Sequence, residues 1–199
     1  MTKVKICGLS RMCDIDFVNE AEPDFIGFIF AKSKRKVTAE QAKELRKKLN
    51  PKIQAVGVFV NEPLEQIISI MDAGIIDMVQ LHGQESEDYI KTLKDKIHVP
   101  IIKAVQVNSR EDIVEAQESA ADYLLLDHGS GGTGHHFDWS LIGNLEKAFF
   151  LAGGLRCENV EEAIRTANPF AVDTSSGVES DGKKDQHKIE EFIRRVRDV

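Results

Sequence analysis

The sequence alternates eight short apolar runs with polar segments of helical periodicity, and this alternation restricts the possible folds more than any other feature. Most of the runs are continuous rather than alternating, which is typical of strands buried on both faces of a parallel sheet. Strict alternation with helices implies parallel strands joined by right-handed crossovers. The runs cover residues 4–7, 25–30, 55–60, 78–81, 99–105, 123–126, 148–152 and 170–172.

The polar segments carry recognisable signals for the start and end of helices. Thr38 opens "TAEQAKELRKKL" with Gln41 three residues later, which is the pattern of a capping box. Pro63 near the start and Gly74 at the end predict a helix in "EPLEQIISIMDAG". Further helices are predicted in "SREDIVEAQESA", in "CENVEEAIRTANP" and in the C-terminal "DQHKIEEFIRRVRDV".

Eight strand–helix units in 199 residues predict an α/β fold, a single (β/α)8 TIM barrel that forms one domain over residues 1–199. The alternative is an open, doubly wound sheet, which usually has a glycine-rich phosphate loop after its first strand. Here the first such loop reads "CGLSRMCD" and contains a single glycine. We therefore prefer the closed barrel.

The charge and the cysteines limit the partners and the compartment. A formal net charge of −7 makes broad attraction to nucleic acid or to an anionic membrane unexpected. Neither a long apolar span nor a signal-peptide pattern is found. Cys7, Cys13 and Cys157 lack the spacing of a metal site, and their odd number argues against a disulfide framework. A reducing cytoplasm is the expected location.

The loops that leave the strands carry most of the reactive side chains. They include Cys7, "KSKR", His82, "DHGSGGTGHHFDW", "AGG" and "DTSSGVE", whereas loops that enter strands, such as "EAEPD" and "SAAD", are less reactive. In a barrel the catalytic face lies at the carboxyl ends of the strands. The asymmetry favours an enzyme, although loops after strands are polar in many α/β proteins.

Two late loops have the pattern of a phosphate site. Gly153 and Gly154 follow the seventh run, and a helix begins within a few residues. Ser175, Ser176 and Gly177 follow the eighth run, and a short helix is predicted at Ser176–Glu179. Backbone amides and a helix N-terminus at these places form the usual phosphate site of such barrels. The alternative is that the glycines serve turn geometry alone.

Three residues at strand ends are candidates for moving protons. Cys7 lies two residues after Lys5, so both side chains leave the same face of the strand. A nearby ammonium lowers the pKa of a thiol, which suits a nucleophile or a general base, and an inert buried cysteine is the alternative. Asp127 and Asp173 directly follow the sixth and eighth runs. A carboxyl group partly removed from water suits a proton donor, and a salt bridge or a cap is the alternative.

The remaining polar candidates are an arginine and several histidines. Arg35 follows the second run and is either a fork for a substrate carboxylate or part of a solvated charge run. His82 in "VQLHGQ" is compatible with a ligand, an acid–base group or a turn residue. His128, His135 and His136 lack ordered ligand spacing, so we expect no metal.

Seven motifs, taken in order, resemble the phosphoribosylanthranilate isomerase family and together span all eight units. The resemblance implies an Amadori rearrangement of N-(5-phosphoribosyl)anthranilate to 1-(2-carboxyphenylamino)-1-deoxyribulose 5-phosphate, the third step from chorismate to tryptophan, without a cofactor or metal. The motifs are "VKICGLS", "GFIFAKSKRKV", "VGVFVN", "VQLHGQE", "LLLDHGSGGTGHHFDW", "LAGGLRCENV" and "FAVDTSSGVESDGKKD".

The same resemblance implies a role for each candidate. Cys7 would be the general base and Asp127 the general acid. Arg35 would hold the anthranilate carboxylate, and His82 and Asp173 would line the same pocket. The phosphate would be held by five residues of the two late loops, which are Gly153, Gly154, Ser175, Ser176 and Gly177.

One loop and two departures from the family pattern qualify this picture. The loop "DHGSGGTGHHF" is the candidate for a water-excluding lid, because its glycines allow motion. His135 stands where the family commonly has a lysine, and Lys36 follows Arg35 where it commonly has an aromatic residue. The packing around the anthranilate ring is therefore left open.

Two other functions stay open on the sequence. A phosphate-sugar lyase or aldolase on the same barrel would use a Schiff-base lysine, for which Lys5 and Lys103 are candidates. A catalytically silent phosphate-binding protein would bind ligand without turnover. The expected partner is a small phosphorylated sugar–anthranilate substrate, with no nucleic acid and no membrane, and the chain is expected to be a monomer or a homodimer.

Overall fold

The computed structural model describes residues 1–127, 138–143 and 145–199, and eight strands in these residues form a closed barrel. Neighbouring strands are parallel throughout, and the eighth strand pairs with the first. The predicted barrel is confirmed, and the strand ends differ from the predicted runs by at most two residues. The strands are β1 Lys3–Cys7, β2 Phe25–Ile29, β3 Gln54–Phe59, β4 Met78–Leu81, β5 Ile101–Gln106, β6 Tyr123–Asp127, β7 Phe149–Leu151 and β8 Ala171–Thr174.

The α-helices in the described residues begin and end close to the predicted signals. Thr38 accepts a hydrogen bond from the Gln41 amide at 3.2 Å, and the Gln41 side chain accepts one from the Thr38 amide at 2.9 Å, so the capping box is formed. Asn168 ends the sixth helix in the left-handed conformation, as a C-terminal cap often does. The helices are α1 Met12–Ala21, α2 Ala39–Lys48, α3 Leu64–Asp72, α4 Glu87–Lys96, α5 Arg110–Gln117, α6 Val160–Ala167 and α7 Gln186–Arg197.

Two short 3₁₀ helices and one hairpin complete the described elements. Between β6 and β7 the described residues hold only the 3₁₀ turn Trp139–Leu141, where the regular alternation would place an α-helix. After β8 the chain forms the 3₁₀ helix Ser176–Val178, which confirms the short helix predicted there. The hairpin that follows was not predicted, because its strands, β9 Glu179–Ser180 and β10 Lys183–Lys184, are only two residues long.

The barrel interior is filled with apolar side chains near the amino ends of the strands. Phe25 opens β2 and packs against Phe150 of β7 with ring centroids 5.4 Å apart. Lys3 places its ammonium over the rings of Phe25 and Phe170, at 5.5 and 5.2 Å from their centroids. Because this layer is closed by rings, free space inside the barrel lies toward the carboxyl ends of the strands. There Lys5 and Cys7 continue the face on which Lys3 points inward.

A second and larger apolar layer lies between the strands and the surrounding helices. It joins residues such as Ile6 of β1 and Phe192 of α7, both fully buried. Full burial of one such side chain stabilises the fold by about 1.5–3 kcal/mol. No helix in the part of the chain that the structure describes is both long enough and apolar enough to cross a membrane.

Candidate active site

A cavity of about 320 Å³ opens at the carboxyl ends of the strands. This volume lies at the lower end of the range of small-molecule sites. All ten site residues predicted from the sequence line it, so the structure brings together groups from β1, β6, β8 and the loops after β2, β4 and β7. They are Cys7, Arg35, His82, Asp127, Gly153, Gly154, Asp173, Ser175, Ser176 and Gly177.

A buried ion pair lies beneath the cavity, where β1 meets β8. Lys5 and Asp173 occupy paired positions on the two strands, and Lys5 Nζ donates to Asp173 Oδ2 at 2.9 Å. The Lys5 side chain is fully buried, and the pKa of Lys5 is nevertheless raised. Burial is the largest single influence and would lower it, but the charges of Asp173 and Cys7 and the hydrogen bonds to them together outweigh burial. Asp173 Oδ1 is buried without a hydrogen-bond partner among the described residues, and Asp173 lines the cavity.

The thiol of Cys7 is held in a dry position beside this pair. Gly27 faces Cys7 across β1 and β2, and a Cβ at position 27 would lie 2.6 Å from Cys7 Sγ. The glycine therefore makes the space in which the thiol sits. Burial raises the pKa of Cys7, and the opposing effect of Lys5 does not outweigh it. The sequence-based expectation of a lowered pKa was wrong, because it counted the ammonium and not the loss of water.

Asp127 and His82 face each other at the mouth of the barrel. His82 Nε2 lies 3.7 Å from Asp127 Oδ2. Gln80 Nε2 lies 2.9 Å from His82 Nδ1, and with the amide as donor the imidazole proton resides on Nε2, toward Asp127. Burial lowers the pKa of His82 although the charge of Asp127 opposes it, so the ring is neutral near pH 7. A neutral ring can donate to a carboxylate that has just lost its proton.

The two late loops are tied to each other and to β1. Thr174 Oγ1 donates to the carbonyl of Leu155 at 2.7 Å, and Ser175 Oγ donates to the carbonyl of Cys7 at 3.0 Å. A Cβ at Gly177 would lie 2.0 Å from that same Leu155 carbonyl, so only glycine allows this approach. The close packing of the two loops brings backbone from both to the cavity wall. Backbone amides and a helix N-terminus in such a place are suited to phosphate.

Arg35 lines the cavity but is already engaged on one edge. Its Nε donates to Glu179 Oε1 at 2.6 Å, and its Nη2 donates to Glu179 Oε2 at 2.7 Å. The hydrogen bonds that Arg35 donates to Glu179 raise the pKa of Arg35, so the guanidinium is permanently charged. A fork on one edge leaves the Nη1 edge for a second acceptor. Next to Arg35, the side chains of Ile29, Val58 and Val60 give the cavity an apolar wall.

Three polar residues of this region were missed by the sequence reasoning. Gln80 contacts His82, and Glu179 and Lys184 contact Arg35 and Ser175. All three lie inside motifs quoted above. Glu179 was missed because its partner Arg35 is distant in the sequence, and for Gln80 and Lys184 a contact with a nearby residue was not considered. The Asp-Gly dipeptide between β9 and β10 was the available signal, because it predicts a tight hairpin that pairs Glu179 with Lys184.

The two lysines considered for a Schiff base are both held by partners. Lys5 is paired with Asp173, and Lys103 Nζ donates to the Gly83 carbonyl and to Glu85 Oε2, both at 2.7 Å. Neither lysine is among the described residues that line the cavity. Neither of these two lysines therefore presents a free amine to the cavity.

Some sequence-based predictions fall on residues 128–137, which lie outside the described residues. They are the lid and the three histidines His128, His135 and His136. Among the described residues, no group of three or more histidine, cysteine or acidic side chains could hold a metal ion.

The sequence matches the N-(5′-phosphoribosyl)anthranilate (PRA) isomerase family over residues 4–195. The N-(5′-phosphoribosyl)anthranilate isomerase of Endomicrobium trichonymphae is 45% identical over 203 residues, with all of both chains covered.

Two solved structures share the fold over the full length of both chains. A crystal structure of phosphoribosyl anthranilate isomerase in complex with reduced 1-(o-carboxyphenylamino)-1-deoxyribulose 5-phosphate is 38% identical, with a TM-score of 0.89. A crystal structure of monomers generated from the dimeric enzyme of Thermotoga maritima is 37% identical, with a TM-score of 0.89.

Proposed function

This chain belongs to the N-(5′-phosphoribosyl)anthranilate isomerase family and is an isomerase of tryptophan biosynthesis, and we propose how its cavity carries out that reaction. The substrate is an aldosylamine and the product a ketosamine, so a proton must leave sugar C2 and another must reach C1. The reaction also opens the furanose ring. The site must therefore supply an acid near the ring oxygen and a base near C2.

Asp127 is the proposed general acid. It protonates the ring oxygen while the nitrogen lone pair forms a C=N bond to C1 and the C1–O bond breaks, which gives an open-chain iminium. After giving up its proton, Asp127 is a carboxylate. His82 Nε2, 3.7 Å from Asp127 Oδ2, is placed to stabilise this charge. Neutral His82 suits this task, because on closer approach its Nε2–H can donate to the carboxylate without competing for the proton.

Cys7 is the proposed general base. Its thiolate removes the C2 proton, the C2–H electron pair forms a C1=C2 bond, and the iminium nitrogen accepts the displaced pair. The resulting enolamine tautomerises to the ketone when C1 gains a proton and the C2 hydroxyl loses its own. The iminium makes the C2 proton acidic, so a thiolate is a sufficient base. Lys5 and Lys184 both favour the thiolate form, although burial of the thiol dominates.

Two sets of binding groups in the cavity wall are proposed to hold the substrate between acid and base. Gly153, Gly154, Ser175, Ser176 and Gly177 hold the phosphate through the two late loops. This assignment is supported by the contacts that lock these loops together and by their place in the cavity wall.

Beside the phosphate loop, the Nη1 edge of Arg35 is proposed to bind the anthranilate carboxylate. The aromatic ring is proposed to lie against the apolar wall of Ile29, Val58 and Val60, and the place of these side chains in the cavity lining supports this. Asp173 Oδ1, unpartnered among the described residues, accepts a sugar hydroxyl. The crystal structure of the relative with a carboxyphenylamino ribulose 5-phosphate bound supports a ligand with these three parts.

The single observation that carries the proposal is that Cys7, Asp127 and both late loops line one cavity. The test is turnover of phosphoribosylanthranilate generated in place, followed by the loss of its fluorescence. Cys7→Ala and Asp127→Ala should each lose on the order of a thousandfold in kcat, about 4 kcal/mol. Cys13→Ala is the matched control, because it removes a thiol from α1 outside the cavity.

Three outcomes would overturn these assignments. A near-normal kcat in Cys7→Ala would show that Cys7 is not the general base. A near-normal kcat in Asp127→Ala would show that Asp127 is not the general acid. A covalent substrate adduct on Cys7, detected by mass spectrometry during turnover, would make the thiol a nucleophile instead of a base.

The setting of the enzyme is also proposed. We place it in the cytoplasm, where a reducing environment keeps Cys7 unoxidised. The chain is proposed to form one domain over residues 1–199 and to act as a monomer or a homodimer. The Thermotoga maritima relative, known as a dimer from which monomers have been generated, supports both states. Light scattering at micromolar concentration distinguishes them.

A further inference from the structure

Four residues form a continuous polar network beside the cavity, which we name the Glu179 bracket: Arg35, Glu179, Lys184 and Ser175. Both carboxylate oxygens of Glu179 accept from Arg35, at 2.6 and 2.7 Å. Lys184 Nζ donates to Glu179 Oε1 at 2.6 Å, to the Ser175 carbonyl at 2.8 Å and to Ser175 Oγ at 3.3 Å. The bracket thus connects the proposed carboxylate site to the proposed phosphate loop.

The hairpin of β9 and β10 holds the bracket in place. Glu179 and Lys184 are cross-strand partners, and Asp181 and Gly182 turn the chain between them with φ of 50° and 73°. Arg11 Nη2 donates to the Lys184 carbonyl at 2.9 Å, which fixes the hairpin against the start of α1. The side chains of Glu179 and Lys184 are 7% and 1% exposed, so the pair is built into the fold.

Among the described residues, the hydrogen-bonding groups of Glu179 and Lys184 are all occupied, whereas one edge of Arg35 is not. All three N–H groups of Lys184 have acceptors, and both oxygens of Glu179 are occupied. Neither residue is among the described residues that line the cavity, whereas Arg35 and Ser175 are. Two cations and one carboxylate leave a formal charge of about +1 for the whole network. Within the described part of the chain, no acceptor contacts the Nη1 edge of Arg35.

We propose that Glu179 is a positioning residue for this isomerase, which with Lys184 fixes Arg35 relative to the phosphate loop and so sets the distance between the sites for the substrate's carboxylate and its phosphate. Without the fork, the Arg35 side chain would adopt many rotamers, and ordering it would weaken binding. The inference rests on the proposed function, in which Arg35 binds the carboxylate. It predicts that Glu179 acts on the carboxylate of the ligand while touching no part of it.

The test compares two unreactive ligands on the purified enzyme by calorimetry. One is the reduced carboxyphenylamino deoxyribulose 5-phosphate, and the other is the same compound with phenyl in place of carboxyphenyl. Glu179→Gln should weaken binding of the carboxylated ligand on the order of tenfold and of the phenyl ligand less than about twofold. In an Arg35→Ala background, Glu179→Gln should have no further effect on either ligand.

Controls separate this inference from the proposed function and from misfolding. Glu44→Gln removes a carboxylate from an exposed ion pair with Lys47 and should change neither affinity. Glu179→Asp keeps the charge but is one methylene short of the fork, so the same selective loss is expected if Glu179→Gln does not fold. Steady-state kinetics should show a raised KM with kcat changed less, because the carboxylate is not a reacting group.

The outcomes are distinct. Equal weakening of both ligands by Glu179→Gln and Glu179→Asp would overturn the positioning role and show a general structural one. No weakening of either ligand would overturn it as well. If Arg35→Ala itself does not distinguish the two ligands, the carboxylate assignment of the proposed function fails, and the bracket fails with it.

Discussion

Acid should destabilise this protein through Glu179, and Glu179→Gln isolates the effect. Burial by itself would raise the pKa of Glu179, but the hydrogen bonds and charges of Arg35 and Lys184 outweigh burial and lower the pKa to about 2. A glutamate in the unfolded chain has a pKa of about 4.3. Because the folded pKa is the lower one, the carboxylate stabilises the fold above about pH 4.3, and this stabilisation is lost as the pH falls toward about 2.

The size of the effect follows from the two pKa values. A pKa of about 2 in place of about 4.3 corresponds to about 3 kcal/mol in the free energy of unfolding. Arg35 is 28% exposed, so water screens part of its interaction with Glu179. We therefore expect Glu179→Gln to lower the free energy of unfolding by about 1–2 kcal/mol at pH 7.

Urea unfolding followed by circular dichroism at pH 7, 4 and 2.5 measures this difference. The gap between wild type and Glu179→Gln should narrow steadily as the pH falls, because the wild-type carboxylate takes up a proton that glutamine cannot. Glu44→Gln, whose partner Lys47 is 59% exposed, is the matched control and should stay within about 0.5 kcal/mol of wild type. A gap that is equal at pH 7 and pH 2.5 would refute the electrostatic reasoning, and the absence of any gap at pH 7 would show that the bracket adds no stability.

Three further predictions concern the cavity floor and the phosphate loop. Burial raises the pKa of Cys7, so kcat/KM should climb with pH from neutrality by up to about tenfold per pH unit until the thiol ionises; a profile that is flat from pH 6 to 9 contradicts this base. Lys5→Met should lower the free energy of unfolding, measured in urea, by about 3–5 kcal/mol, because it leaves the buried charge of Asp173 uncompensated, and adding Asp173→Asn should recover part of this loss. Strictly additive losses from the two substitutions would contradict an interaction between Lys5 and Asp173. Gly177→Ala places a Cβ 2.0 Å from the Leu155 carbonyl, so inhibition by inorganic phosphate should weaken on the order of tenfold while the far-ultraviolet spectrum stays native, and an unchanged inhibition constant would remove this glycine from the phosphate site.

Features that depend on neighbours in the sequence were predictable. The Thr38 capping box needs only Gln41 three residues away, and it formed as the pattern indicates. The barrel followed from eight buried runs, because burial on both faces leaves a parallel sheet few other arrangements. The position of Cys7 on the inner face followed from the two-residue period of a strand.

Features that depend on distant contacts or on loss of water were not predictable in this way. The sequence places Lys5 beside Cys7 but does not report how dry the thiol is, and burial reversed the expected direction of its pKa. Arg35 suggested a carboxylate fork, yet the carboxylate already on it is Glu179, 144 residues further along the chain. An acid or base can thus be suggested from its strand end, whereas its strength is set by the folded surroundings.

The ion pair between Lys5 and Asp173 joins the first barrel strand to the last, across 168 residues of chain. The environment of the Cys7 thiol therefore does not exist in any fragment that lacks β8. During synthesis β1 leaves the ribosome early and must wait for almost the whole chain before its cysteine is shielded, which makes this contact one of high sequence separation. A fall in the rate at which a thiol reagent modifies Cys7 would consequently report the closure of the barrel. The enzyme is expected to become active only after β1 and β8 have paired.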